Sequence, residues 1–354
     1  YDFDFGARRR DFGWKPTDGD KNDWYVKFID MSVKIVGETL PVSSDVKNVI
    51  SERFRDLWAV AIKVEGVKNS LSRAVRSFVD AGQEEGWEEG WSAIRTTIFY
   101  DGKNVAEEDQ NVLKELEKVA CPKGLLSLLR VLLFGNHFGI TFSDALDFSE
   151  REREAYELAK GFGKELVKSE LLYPEAARLV TEGGRHGDPA SRYALGKSMS
   201  FHAYDMSKMW GVLLEGFESW PEKERDKTVL NGYLEGVFDR DVALFNRLLD
   251  EAMERPSLVR HVPSFQALAP LDSQGCDRLL ALMKCPDVHA MDFYHGWSGQ
   301  SGRRLADGSY PDGAVAVILK SLLRMKDGVL AAVKILSLYV FQRTSPLERG
   351  LFML

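Results

Sequence analysis

The stretch "MSKMWGVLLEGF", residues 206–217, carries the pattern that decides the fold. Its large apolar residues recur at intervals of three and four, which places them on one face of an α-helix. That face comprises Met206, Met209, Trp210, Leu213, Leu214 and Phe217. The stretch is therefore predicted to be an amphipathic helix that packs through this face.

The same spacing recurs on both sides of this stretch, over most of the chain. Alternation with a period of two, which is typical of half-buried β-strands, is nearly absent. The sequence therefore predicts an all-α fold. The further apolar stripes are Ile50, Phe54, Leu57, Trp58 and Ala61; Leu71, Ala74, Val75, Phe78 and Val79; Ala155, Leu158, Ala159, Phe162 and Leu166; Phe245, Leu248, Leu249 and Ala252; Val315, Ile318, Leu322 and Met325; and Val329, Val333, Leu336 and Val340.

One segment, "WYVKFIDMSVKIVGE" from Trp24, is rich in β-branched residues and fits either a strand or a helix. Trp24, Phe28, Met31 and Ile35 also follow the helical spacing. Because the neighbouring segments are helical in pattern, we predict a helix here as well.

Short segments that break helices separate the apolar stripes, among them "CPKG", "SWPEKE" and "KDG". From Met206 onward the helix–turn–helix units follow one another at roughly the 40-residue spacing of HEAT repeats. A single unit of this size cannot bury its apolar face alone, and stacking of units solves that problem. We therefore expect a HEAT-like α-solenoid.

The 354 residues are enough for two domains. We expect a helical N-terminal domain at residues 1–150, which opens with an irregular, aromatic-rich segment at residues 1–23. A HEAT-like repeat region is expected at residues 151–354. Because the chain begins at Tyr1 without an initiator Met and stops at the apolar "GLFML", it is expected to be a piece of a longer protein.

Charge and cysteine content narrow the choice of partners and location. The net charge is −7, whereas modules that bind nucleic acid usually carry a basic excess that neutralises phosphates. The three cysteines, Cys121, Cys276 and Cys285, are odd in number and form no CxxC, which is typical of a reducing cytoplasm. No apolar run approaches the roughly 20 residues that a membrane-spanning helix needs, so no membrane partner is expected.

The stretch "SRYALGKS", residues 191–198, ends like a phosphate-binding loop. In such a loop, G-x-x-x-x-G-K-[ST], the first glycine lets the backbone wrap around the phosphates after a buried strand. Here that first position is Ser191, and no strand pattern precedes it. Asp188 and Pro189 instead resemble an N-cap and a first helical turn. We therefore predict a helix and no nucleotide cofactor.

Other catalytic signatures are missing from the sequence as well. None of the six histidines lies in HExxH or has metal-ligand spacing with a cysteine, and no GxSxG marks a nucleophile elbow. The sequence therefore nominates no catalytic, cofactor-binding or metal-binding residue, and we expect that this segment is not an enzyme.

The stretch "EEGWEEGWSAI", residues 84–94, places Trp87 and Trp91 four residues apart, and Gly86 and Gly90 likewise. Two glycines in a helix cost about 1 kcal/mol each relative to alanine, which indicates a close approach of another backbone. Internal packing is the preferred interpretation of the two tryptophans, and a partner site is the alternative.

The segment from Tyr294 to Ala314 is long for a connection between helices, and such loops often bind partners. It offers residue types that are enriched at protein interfaces. We therefore expect the partner surface on the C-terminal repeats and this loop, and the predicted partner-binding residues are Tyr294, Trp297, Arg303, Arg304 and Tyr310.

Three phrases resemble the long C-terminal helical regions of bacterial anti-phage defence proteins of the Avs (AVAST) class: "RRDFGWKP" at 9–16, "FRDLW" at Phe54–Trp58 and "EEGWEEGWSAIRTTIFYD" at 84–101. The late "DGAVAVILKSLLRMKDGVLAAVKILSLYVF", residues 312–341, is similar to them too. In that class an effector domain precedes a STAND-type NTPase, which precedes a repeat sensor. The resemblance implies that this chain is the sensor or scaffold portion of such a protein. It does not assign a functional role to any residue of this sequence.

Three functions remain open from the sequence. The leading hypothesis is a non-catalytic scaffold or sensing region that binds a protein partner or the sister domains of its parent chain. The second is an enzyme of a helical class that uses the Tyr294–Ala314 loop with Asp292, His295 and Arg303. The third is nucleic-acid binding along an arginine-lined groove, where local charge could outweigh the net charge.

Overall fold

The structure is a computed structural model that describes residues 17–38, 40–80, 86–134, 148–169, 173–183, 189–298 and 309–343. Within these ranges the chain is helical and contains no β-strand apart from one isolated antiparallel bridge between Glu182 and Arg225. The predicted all-α class is confirmed, and the HEAT-like repeat type stays a prediction. The chain forms two compact units, Tyr1–Arg151 and Glu152–Leu354.

The described residues up to Phe134 form six α-helices. They are α1 (Asp18–Glu38), α2 (Leu40–Ala61), α3 (Glu65–Asp80), α4 (Glu88–Asp101), α5 (Glu107–Ala120) and α6 (Leu125–Phe134). Helix α1 packs against α2 and α3, and α4 packs against α2, α5 and α6. The apolar stripes predicted in α2 and α3 form the core, since every one of their members is buried.

Helix α1 confirms the predicted helix at "WYVKFIDMSVKIVGE", but its start and its buried face differ from expectation. It begins at Asp18, so the last six residues of the segment expected to be irregular are helical. Ile29 and Ser32 are buried, whereas Trp24 and Met31 are exposed. The stripe of large residues therefore predicts the helix correctly but does not identify its buried side.

Trp87 and Trp91 are both buried, which confirms the core interpretation. The ring of Trp87 meets Phe78 edge-on, with 5.1 Å between centroids. The expectation that both glycines lie in the helix was wrong, because the helix begins only at Glu88, but the expected close approach of another backbone is present at Gly86. Gly86 has a φ of +89° and lies against the Cys121 carbonyl, while Gly90 leaves room for the Trp87 indole.

Eleven α-helices follow among the residues described after α6. They are α7 (Phe148–Lys168), α8 (Tyr173–Val180), α9 (Pro189–His202), α10 (Met206–Glu218), α11 (Thr228–Arg240), α12 (Val242–Glu254), α13 (Val262–Gln266), α14 (Ser273–Leu282), α15 (Ala290–Ser298), α16 (Asp312–Leu322) and α17 (Gly328–Arg343).

Aspartate side chains fix where three of these helices begin. Asp205, Asp241 and Asp272 accept hydrogen bonds from the backbone amides of Lys208, Leu244 and Gly275 at 2.7–2.9 Å. Each bond satisfies an amide that has no partner within its helix. The stretch 206–217 is helix α10, and its predicted face is buried from Met209 onward, with Met206 half-buried.

Helices α9 and α11 approach each other closely through glycines. A Cβ atom added at Gly196 would lie 2.0 Å from the Val229 carbonyl oxygen, and one at Gly232 would lie 2.0 Å from the Tyr193 carbonyl oxygen. Neither distance is compatible with a side chain, so the two backbones are in direct contact. Arg240 at the end of α11 donates to the carbonyl oxygen of Ser200 and thereby caps α9.

A buried arginine ties α12, α13 and α14 together. The guanidinium of Arg278 donates to the Asp250 carboxylate at 2.8 and 2.9 Å and to the Gln266 side chain. It also donates to the side chain of Asn246 at 3.3 Å. Because a planar guanidinium has several donors in fixed directions, one side chain can hold three helices in register.

Candidate protein-interaction surface

The segment predicted to bind a partner is for the most part helical or buried where the structure describes it. Its first residues belong to α15 and its last to α16. Trp297 and Tyr310 are each 1% exposed, and their rings meet edge-on at 5.4 Å. These two residues therefore form core and are unavailable to a partner, which corrects the expectation. Arg303 and Arg304 lie outside the described residues.

Trp297 is held in the core by a close helix contact. Gly296 precedes it on α15, and a Cβ atom there would lie 2.7 Å from the backbone nitrogen of Ser264 in α13. The backbone of α15 therefore rests directly on α13, which turns the neighbouring indole inward.

Tyr294 is the one predicted partner residue that the structure leaves partly accessible. It is half-buried on α15, and the Lys334 ammonium of α17 lies 4.9 Å from the centre of its ring. This contact is a cation–π interaction. Tyr294 therefore borders α17, which has five exposed large hydrophobic residues among the described residues.

Helix α17 exposes a stripe that the sequence predicts as one apolar face. Val329, Val333, Leu336 and Val340 are 38–62% exposed, and Leu330 beside them is 54% exposed. The buried side of the helix is formed instead by Ala331, Ala332 and Ile335, which pack toward α15 and α16. The helix itself is confirmed, but the implied burial of the stripe is wrong.

This exposure is concentrated in one part of the chain. Of the fourteen large hydrophobic side chains that are exposed among the described residues, seven lie between residues 317 and 340. Val317 and Leu323 of α16 join the five residues of α17. Single exposed apolar residues are ordinary on a protein surface, whereas a cluster marks an interaction site.

The Gly-Lys-Ser of residues 196–198 lies inside helix α9, away from its N-terminus. Gly196 faces the backbone of α11, and the Lys197 ammonium pairs with Glu235 at 3.2 Å and with Asp239 at 2.9 Å. The Ser198 hydroxyl donates to the Lys160 carbonyl oxygen at 2.6 Å. All three residues therefore make helix–helix contacts. The helix begins at Pro189, as predicted, and the predicted N-cap Asp188 lies outside the described residues.

A group of titratable residues surrounds His261 in the second unit. Burial lowers the pKa of His261 to about 4, and the nearby cations Lys227, Arg260 and Arg225 act in the same direction, against Asp292. Burial also lowers the pKa of Lys227. The imidazole is therefore neutral at neutral pH, and its ring packs edge-on against Phe217 at 5.9 Å.

Two of the three residues named for the enzyme hypothesis, Asp292 and His295, lie on α15. Asp292 accepts a hydrogen bond from the His289 backbone amide at 2.8 Å, at the start of α15. His295 is exposed on the same helix, and Arg303 lies outside the described residues. Within the part of the chain that the structure describes, no three His, Cys, Asp or Glu side chains are grouped so that they could hold a metal ion.

The three cysteines are free thiols and half-buried. Burial raises the pKa of Cys121 and of Cys276, which keeps both protonated at neutral pH. Neither thiol is activated as a nucleophile.

None of the helices in the described ranges combines the length and apolar character needed to cross a membrane. No protein-family model, curated protein or solved structure matches this chain. The candidate site is therefore defined by the geometry of α15, α16 and α17 alone.

Proposed function

We propose that this chain is a non-catalytic protein-interaction scaffold or sensing region, and that it binds its partner through the exposed face of α17. The observation that carries the proposal is the aliphatic stripe Val329, Val333, Leu336 and Val340 on an ordered helix. Exposed apolar surface of this kind gains about 25 cal/mol per Å² when a partner removes it from water.

The helix is held firmly enough to serve as a docking surface. Its inner residues Ala331 and Ile335 are buried, Lys334 lies over the Tyr294 ring, and the Tyr339 hydroxyl donates to Asp312 of α16. A surface that is already ordered loses little conformational entropy on binding, which favours affinity. Between residues 329 and 340 no exposed residue of α17 is Lys or Arg, so this face suits a protein better than a nucleic acid.

The biological setting is a separate part of the proposal. On the strength of the resemblance to Avs-class proteins, we propose a cytoplasmic bacterial anti-phage defence protein in which this chain serves as the sensor or scaffold portion. The partner is then a protein ligand or a sister domain of a longer parent chain.

The binding function is tested by capture from lysate of the source organism followed by mass spectrometry. The protein is compared with Val333→Asp, which places a charge in the stripe, and with Val242→Asp. Val242 is a matched control because it is 51% exposed on α12, against 55% for Val333 on α17. We expect a specific protein to be retained by the wild type and the control and lost from Val333→Asp. Equal retention by all three would contradict the proposal.

The defence setting is tested by plaque assays in bacteria that express the gene encoding this chain. We expect fewer plaques with the wild type and with Val242→Asp than with Val333→Asp. Plaque counts equal to those of cells lacking the gene, across a broad phage panel, would contradict this setting.

A further inference from the structure

No exposed residue of α17 between residues 329 and 340 is charged. Between residues 329 and 340 the exposed residues are Val329, Leu330, Val333, Leu336, Ser337 and Val340. Five of these six are aliphatic, and the sixth carries only a hydroxyl. The face spans eleven residue steps, or about 16 Å of helix.

The spacing of the stripe fits another helix. Its four members are separated by four, three and four residues, which is the spacing of a coiled-coil seam. Val333 and Val340 then occupy one type of seam position, and Val329 and Leu336 occupy the other. β-Branched residues at the first type with leucine at the second favour packing of two helices, and among the four residues Val329 alone departs from that pattern. Between residues 329 and 340 no aromatic residue is exposed on this face, whereas helices that lie on membranes commonly carry Trp or Phe.

The surroundings of the stripe are basic although the protein is acidic. Residues 309–343 contain five Lys or Arg and two Asp, a net charge of +3, so the rest of the chain carries −10. Lys320, Arg324 and Lys326 are all exposed, and the last two lie in the turn that leads into α17. A partner with acidic residues beside its apolar stripe would therefore be attracted to this surface.

The same charge disfavours pairing of two copies through this face. A symmetric dimer brings identical patches together. The exposed Lys320, Arg324 and Lys326 of both copies would then lie at one interface, and like charges at an interface cost free energy.

We propose that the exposed face of α17 binds an amphipathic helix of another protein, whose aliphatic stripe is flanked by Asp and Glu. This inference rests on the proposed function and adds the chemical class of the partner. The stripe supplies the apolar contact, and Lys320, Arg324 and Lys326 select for acidic flanks.

The test uses two synthetic helical peptides of about three heptads with the same Val/Leu seam. One has Glu at the positions that flank the seam, and the other has Lys. Binding of each labelled peptide to the full chain is measured by fluorescence anisotropy. We expect the Glu peptide to bind at least about tenfold more tightly than the Lys peptide, and added salt to reduce the difference.

Three variants separate the contributions. Val333→Asp is expected to weaken binding of the Glu peptide about tenfold or more, and the exposed control Val242→Asp is expected to leave it unchanged. The double variant Lys320→Glu/Arg324→Glu is expected to reverse the preference between the peptides, which a loss of folding would not do. Circular dichroism checks that each variant is folded.

Several outcomes would overturn the inference. Equal binding of both peptides, or binding that survives Val333→Asp, would show that the partner class is wrong. A dimer in sedimentation experiments that Val333→Asp abolishes would assign the face to a second copy of the chain. Binding to phosphatidylserine vesicles in place of the peptides would assign it to a membrane surface. If the Glu peptide fails but Val333→Asp still loses the captured protein, the proposed function stands and only the acidic helix is rejected.

Discussion

Trp297 and Tyr294 lie three residues apart on α15, and the helix turns the first into the core and leaves the second near the surface. Both are large aromatic residues of the kind that interfaces favour, so the sequence does not distinguish them. The difference arises because Gly296 lets α15 rest on the backbone of α13, a contact between segments some thirty positions apart in the sequence.

Trp297→Ala is expected to lower the free energy of unfolding by about 3–5 kcal/mol, because it empties a buried indole-sized volume. Tyr294→Ala is expected to cost only about 1 kcal/mol, since it removes a half-buried ring and one cation–π contact. Urea denaturation measures both. Similar costs for the two variants would show that Trp297 is not part of the core.

His261 gives the protein a defined sensitivity to acid. Its folded-state pKa of about 4 lies below the ordinary value of 6.5, so the folded state disfavours the proton that the unfolded chain accepts. Above pH 6.5 His261 is neutral in both states and does not reduce the free energy of unfolding. As the pH falls from 6.5 toward 4, the free energy of unfolding decreases, by at most about 3 kcal/mol in total.

His261→Gln is expected to lose less stability than the wild type between pH 7 and pH 4, because glutamine does not titrate. Urea denaturation at a series of pH values measures the difference. Parallel pH profiles for the two proteins would show that the imidazole is not responsible.

At the scale of the helix, glycine decides how α9 and α11 meet. Gly196→Ala is expected to destabilise the protein by about 1–3 kcal/mol, because the new methyl would meet the Val229 carbonyl oxygen at 2.0 Å. Gly211→Ala on α10 is the control, since nothing lies within 4 Å of the added atom. That variant should gain up to about 1 kcal/mol from helix propensity. Thermal unfolding that moves both variants in the same direction would contradict the close contact.

Lys197 gives a second prediction at this scale. Titration calorimetry with magnesium ATP is expected to show no binding by the wild type, because Lys197 is paired with Glu235 and Asp239 within a helix. Lys197→Ala should leave the calorimetric result unchanged and cost at most about 1 kcal/mol of stability. ATP binding that disappears in this variant would restore the phosphate-loop interpretation.

Helix positions could be read from the sequence, whereas the buried face of a helix sometimes could not. Apolar spacing is a local property and identifies α2, α3, α10 and α17 as helices. Which side of α17 is covered depends on α15 and α16, which the local pattern does not encode. In α17 the small Ala331 and Ala332 lie inside together with Ile335, since small residues let the helix approach its neighbours, and the valines of the stripe lie outside.

At the scale of the whole molecule, the helical class follows from spacing and helix breakers together, because both report local backbone preference. The candidate interaction surface could be predicted only in part from the sequence. The sequence analysis named Tyr294, which borders α17. It did not predict that the apolar stripe of α17 is exposed, because that depends on which side of the helix α15 and α16 cover.

The second compact unit contains its own core, so the segment Phe148–Leu354 is expected to fold when expressed alone. Its far-ultraviolet circular dichroism should be helical, and its thermal unfolding should be a single cooperative transition. A gradual loss of signal without a transition would show that this unit needs the preceding residues to fold.

The glycine contacts between α9 and α11 also have a mechanical consequence. With carbonyl oxygens seated where side chains would be, neither helix can slide or roll along the other without steric collision. The pair behaves as one stiff lever, so shear motion between these helices is suppressed. A displacement of α9 is therefore expected to carry α11 with it, with bending confined to the turns that connect the pair to its neighbours.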